Sequence, residues 1–187
     1  MTRPTGISLG VCAGLLVCYG FLFASDDSNA DKPDGRHQIE VTIDASLDQV
    51  WAAFTTNEDL KHWWAPVVNI DFKIGGIIQA SYNPEATLGD ASTIENTILS
   101  YDPGRMFSFR CTKSPTGFPF ADIIQKTWTV AYFVAEAPDR TRIKMVANGY
   151  LESHEWKQMG EFFRTSNGQV LAKLKKYLET KTESQEP

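Results

Sequence analysis

The sequence predicts an α+β fold in which a curved antiparallel sheet of about six strands wraps on a long C-terminal helix. Three patterns carry this prediction. Short runs with a two-residue apolar alternation recur between Pro/Gly turns from His37 to Tyr150, which is the signature of antiparallel strands. Apolar residues from Trp156 to Leu178 fall on one broad face of a single long helix. Between the first strand and the rest lies a stretch, Val50 to Gly76, with three tryptophans and two short helical patterns. No repeat or parallel crossover unit breaks the order. A long amphipathic helix after a meander must cover the sheet's remaining apolar face.

The first strand is His37 to Ile43, where Ile39, Val41 and Ile43 alternate with Gln38, Glu40 and Thr42. Ser46 caps the next helix, and Gln49 three residues on completes a capping box. Val50, Trp51 and Phe54 then share a helical face. Leu60, Trp63 and Trp64 mark a second short helix that Pro66 stops, because proline disfavours helix in the residue before it. Ile70, Phe72 and Ile74 against Asp71 and Lys73 read as a strand, and Gly75-Gly76 allow a bend or a close backbone approach. The strand continues from Gly76 to Tyr82, and Asn83-Pro84-Glu85 turns. Ala91 to Tyr101 and Met106 to Thr112 form a hairpin around Asp102-Pro103-Gly104-Arg105, with Phe107, Phe109 and Cys111 on one face and Ser108 and Arg110 on the other.

Lys113 to Gln125 is irregular, with three Pro/Gly breaks, yet holds Phe118, Phe120, Ile123 and Ile124. So apolar a loop folds over something, either as a lid or as a packed connection. Lys126 to Ala135 places Trp128, Val130, Tyr132 and Val134 on one face. Thr141 to Tyr150 returns with Ile143, Met145 and Ala147 inward. In the last helix Trp156, Met159, Phe163, Val170, Leu171, Leu174 and Leu178 face the sheet, and Lys173, Lys175 and Lys176 lie outside. Gly168 within it marks a bend or close packing.

The 187 residues carry a net charge of −5, and the charges are dispersed. Nucleic-acid binding would call for a basic face, so no nucleic-acid partner is expected. The N-terminus differs in kind. Arg3 precedes an uncharged, mostly apolar run from Gly6 to Ala24, the pattern of a secretory signal or of a membrane anchor. Cleavage fits after Ala30 and, less well, after Ala24. Residues 1–30 are therefore leader or anchor, 31–36 a flexible linker, 37–180 the domain and 181–187 a polar tail. This predicts an extracytoplasmic domain, periplasmic or secreted, or one held at the membrane by residues 6–24. No pattern specifies an oligomeric state.

Cys111 is the one cysteine outside the leader. It cannot form an internal disulfide, and its apolar strand context predicts a small hydrophobe rather than a nucleophile. His37, His62 and His154 show no ligand spacing with each other or with Cys111, so no metal is expected. No phosphate loop, nucleophile elbow or HExxH motif occurs, and neither a cofactor nor a catalytic residue is assigned.

Val50-Trp51-x-x-Phe54, Leu60-x-x-Trp63-Trp64-x-Pro66 and Asp71-Phe72-x-x-Gly75-Gly76 resemble the START-like superfamily, also called SRPBCC or helix-grip proteins. Ile98 to Met106, Trp128-Thr129-Val130 and Leu171-x-x-Leu174-x-x-Tyr177-Leu178 extend the resemblance over about His37 to Leu178. The likeness is strongest to the branch named after the C-terminal domain of the heat-shock-protein-90 ATPase activator.

The resemblance implies a pocket between sheet and long helix that takes an apolar or amphipathic small molecule. The ligand-binding candidates are Trp63, Trp64, Tyr82, Phe107, Phe109, Trp128, Tyr132, Met159 and Phe163. Tyr82, Asn96, Arg110, Tyr132 and Asn148 are candidate polar groups, although alternation turns Arg110 to solvent. Glu95 and Glu152 are acid–base candidates if buried. Because fold does not fix function, two alternatives stand beside ligand binding: a cyclase- or hydrolase-like enzyme, and a co-chaperone-like interaction module.

Overall fold

The first strand closes against the last. In the computed structural model, which describes residues 36–183, β1 (His37–Ile43) pairs antiparallel with β7 (Arg140–Asn148) along its whole length. The other strands are β2 (Val67–Ile70), β3 (Ile77–Ser81), β4 (Ile94–Asp102), β5 (Met106–Lys113) and β6 (Trp128–Ala137). They make one seven-stranded antiparallel sheet in the order β1-β7-β6-β5-β4-β3-β2. Register shifts in the β4–β5 ladder, beside Leu99 and between Glu95 and Asn96, increase the local twist and curl the sheet. The apolar run from Gly6 to Ala24 and most of the linker lie outside the described residues. Among the described residues, no helix is long and apolar enough to cross a membrane.

Helices α1 (Leu47–Thr55) and α2 (Asn57–Trp63) follow β1 as the sequence predicts. Ser46 and Gln49 form the capping box, with the Gln49 N–H donating to Ser46 Oγ at 3.3 Å and the Ser46 N–H to Gln49 Oε1 at 2.9 Å. Thr56 serves both helices. Its N–H donates to Ala52 O, ending α1, and its hydroxyl accepts from the Asp59 N–H, starting α2. The Trp63 indole N–H donates to Ala53 O at 2.9 Å and locks the two helices together.

The strand expected at Ile70 to Ile74 is displaced: β2 is earlier, at Val67–Ile70. The Asn57 side chain explains the boundary. Its amide accepts from the Ile70 N–H at 2.7 Å and donates to Ile70 O at 3.2 Å, so the outer edge of β2 is tied to α2. The chain then turns. Phe72 still packs inward on Trp51, but Ile74 is 65% exposed. Gly75 sits at φ +79°, and a Cβ on Gly76 would lie 1.9 Å from Asp71 O, so the bend requires this glycine pair.

Beyond β5, a short α3 (Ala121–Ile124) lies within the apolar loop, and α4 (His154–Glu183) is the long helix, continuing past the start of the expected polar tail. A Cβ on Gly168 would meet Ile39 Cδ1 at an ordinary 3.5 Å. The tight approach is instead at Gly160, where a Cβ would lie 2.3 Å from His37 Nε2.

The main core joins α1, α2 and the C-terminal half of α4 to the sheet through Val50, Phe54, Leu60, Phe107, Phe133, Ile143, Leu171, Leu174 and Leu178. A second cluster surrounds Met159 and Trp156 with Ile123, Ile124, Ala147 and Tyr150. At the far end of α4, buried Asp59 accepts from the Lys181 ammonium at 2.8 Å and from the Tyr177 hydroxyl. Burial raises the Asp59 carboxyl, but the hydrogen bonds from Lys181, Tyr177 and Thr56 outweigh it and hold the group below its ordinary value.

Candidate functional site

Between the two clusters the interior is open. A cavity of about 500 Å³ lies under the middle of α4. Its floor is the inward face of four strands: Ile94 and Asn96 of β4, Phe109 and Cys111 of β5, Thr129 of β6, and Met145 and Ala147 of β7. Phe54, Trp63, Trp64 and Tyr82 form one end. Tyr150, Ile124, Thr127 and the Ser114–Phe118 turn region contribute to the other. Along α4 the wall includes Phe162, Phe163, Asn167, Val170, Leu171 and Lys173.

Local chemistry explains each wall. Strand alternation sends every second residue of β5 inward, so Phe109 and Cys111 follow Phe107 on one face. Burial pushes the Cys111 thiol up to about 11, which keeps it protonated and poorly nucleophilic at neutral pH. Tyr150 is placed by Gly149, whose φ of +88° turns the chain out of β7. A Cβ there would lie 2.8 Å from Lys126 O and 3.1 Å from Trp128 Cζ3, so only glycine lets the Trp128 ring close over the backbone. Burial pushes the Tyr150 phenol up to about 12. The apolar loop covers this end through aromatic contacts: Phe118 meets Phe162 at 5.8 Å and Phe163 at 6.1 Å between ring centroids.

Six of the nine candidate residues line the cavity: Trp63, Trp64, Tyr82, Phe109, Trp128 and Phe163. Three do not. Phe107 is fully buried, flanked by Trp51, Phe54 and Phe133 beneath α1. Met159 is also fully buried, inside the second cluster. Tyr132 is 42% exposed because Ala131 and Phe133 point into the core, leaving Tyr132 and Val134 on the opposite face, where only Val130 is buried. Trp128 shares that alternation but stands at the strand start, where Gly149 admits its ring to the cavity edge.

Among the polar candidates, Asn96 lines the cavity and Arg110 and Asn148 do not. Arg110 keeps its Nε buried without a hydrogen-bond partner instead of facing open solvent. Glu95 accepts from Gln79 and lies 3.9 Å from the Lys113 ammonium, and Glu152 is exposed; neither lines the cavity. Met145, Ala147 and Phe118 were within reach of sequence patterns, since the first two alternate inward and the third lies in the apolar loop. Tyr150 and Lys173 had no such signal. The helical pattern puts Lys173 on the solvent side of α4; it is exposed, yet borders the cavity.

Among the lining residues none is Asp, Glu or His, and Lys173 is the single charged one. Among the described residues, no group of three His, Cys, Asp or Glu side chains converges as a metal site would need. The arrangement can enclose an apolar body and offer it isolated hydrogen-bonding groups.

Solved structures share this fold at low sequence identity. The Aha1 dimer from Colwellia psychrerythraea matches with a TM-score of 0.58 and 16% identity, over 77% of this chain and 96% of its own. A Mesorhizobium loti protein matches with a TM-score of 0.62 and 14% identity, over 78% and 97%. Norcoclaurine synthase from Thalictrum flavum, in complex with dopamine and hydroxybenzaldehyde, matches with a TM-score of 0.57 and 14% identity, over 81% and 88%. No curated protein matches the sequence. The model of the family described as activator of Hsp90 ATPase homolog 1-like protein covers residues 44–179, and the chain belongs to that family, within the START-like superfamily.

Proposed function

We propose that this chain binds an apolar or amphipathic small molecule in the cavity between sheet and α4. The observation that carries the reading is an open volume of about 500 Å³ bounded mainly by aromatic and aliphatic side chains. That volume and composition match ordinary ligand sites of about 300–1,000 Å³. An enzyme using carboxylate or imidazole acid–base chemistry would need such a group in the wall, and the wall holds none. The thiol and the Tyr150 phenol, both raised by burial, are poorly suited to act as nucleophile or base at neutral pH.

Entry runs past the aromatic contact between the apolar loop and α4, where Phe118 and Phe162 part to admit the ligand. The domain works outside the cytoplasm, released or tethered through its N-terminal segment. Arg3 followed by the uncharged run from Gly6 to Ala24 supports that placement. A co-chaperone-like role would use an exposed surface and leave the cavity without a purpose.

Native mass spectrometry of the full chain purified from cells tests the binding reading. A co-purifying small-molecule mass that disappears in Ala147→Phe, a variant that fills the floor, is the expected result. A clean apo mass, together with no uptake of any apolar probe, would overturn it.

A further inference from the structure

The chain carries five more negative than positive charges, yet the cavity wall contains no carboxylate and one ammonium, that of Lys173. Lys173 makes no ion pair with any described residue, although Lys175 and Lys181 on the same helix each hold a carboxylate. Asn96 and Tyr150 also line the cavity, and no described residue pairs with the Asn96 amide or the Tyr150 hydroxyl, so both are available to a ligand. The charge that a ligand carries is set by the wall. A cationic ligand would meet Lys173 with no anion to neutralise it. An anionic head would find its only counter-charge there.

Resting on the ligand-binding reading above, we propose that the ligand is an amphiphilic monoanion. Its acidic head lies at Lys173 on the exposed border of the cavity, and its apolar body extends along α4 toward Phe163. The eleven helical steps from Phe162 to Lys173 span roughly 16 Å, which sets the length available to that body.

Trp63, Trp64 and Trp128 line the cavity and give a direct readout by intrinsic fluorescence. The full chain is titrated with decanoate and with decan-1-ol, which share the alkyl chain and differ in head-group charge. Wild type is expected to bind decanoate about tenfold more tightly, and added salt should narrow the gap. Lys173→Gln should bring the two ligands level without weakening decanol, while Lys176→Gln, an exposed lysine outside the wall, should keep the preference. Equal affinity of both ligands for wild type, or a preference that survives Lys173→Gln, overturns the monoanion proposal and leaves apolar carriage standing. Failure of both ligands to perturb the fluorescence overturns the two together.

Discussion

Phe107 and Phe109 stand two residues apart on the same face of the same strand, with ring centroids 5.4 Å apart, yet they belong to different interiors. Over Phe107 lies α1. Trp51 and Phe54 reach down from it, and Phe72 and Phe133 close the sides, so that seven ring pairs pack at centroid separations of 5.0–6.4 Å. Apart from Phe107, the one described ring that Phe109 meets is Trp64, at the end of α2, with ring centroids 5.8 Å apart. Beyond that contact the middle of α4 and the apolar loop border an open volume of about 500 Å³. The lesson is that aromatic content does not decide between core and pocket. The elements above the strand do, and here α1, α2 and the C-terminal half of α4 together fill one half of the sheet's concavity.

The largest expected effect tests the filled half. Phe107→Ala should cost about 3–5 kcal/mol in denaturant unfolding of the full chain, because the ring is enclosed on every side. Phe109→Ala should cost measurably less, since it enlarges a space that is already open, and should weaken ligand uptake. Equal costs would remove the distinction between the halves.

Next in size is Gly160→Ala. Its Cβ would overlap the His37 ring at 2.3 Å, so that ring must swing out of its edge contact with Tyr150, with an expected loss of about 1–2 kcal/mol. Asp59→Asn should cost about 1–2 kcal/mol, by removing charge-assisted hydrogen bonds that fasten α2 to the end of α4. The sign of its pH dependence follows from the depressed carboxyl. The stabilisation from Asp59 is present above the unfolded carboxylate value and is lost as pH falls through the lower folded value. Urea midpoints across the acid range should therefore fall less steeply in Asp59→Asn than in wild type.

The smallest effect has the opposite sign. Gly168→Ala should stabilise by up to about 1 kcal/mol, since its Cβ meets Ile39 at an ordinary distance and alanine favours helix. Thermal melts of Gly160→Ala and Gly168→Ala should then move in opposite directions.

Much of this fold was legible because its signals are local. The capping box at Ser46 and Gln49, the Gly75-Gly76 bend, and the alternation of β1, β5 and β7 all act within a few residues, and each appears as expected. The misplacement of β2 has a non-local cause, the Asn57 amide thirteen residues away that ties its edge. The site was legible in composition but not in detail. Alternation could not tell which β6 face is buried, because Trp128, Tyr132 and Val134 are as apolar as the residues they alternate with. Nor could it show that Met159 packs in a closed cluster while Phe163, one turn on, borders the opening. The seventh strand came from dividing the region around Gly75-Gly76 into two strands and a turn.

The most direct test of an open half is titration of the full chain with the neutral dye 1-aminoanthracene, in wild type and in Ala147→Phe. The account predicts saturable uptake of one dye per chain by wild type. It predicts loss of that uptake in Ala147→Phe, with a melting temperature lowered less than in Phe107→Ala, since Ala147 borders the open volume as well as the second cluster. Undiminished uptake by the variant, or a melt lowered as far as that of Phe107→Ala, would contradict it.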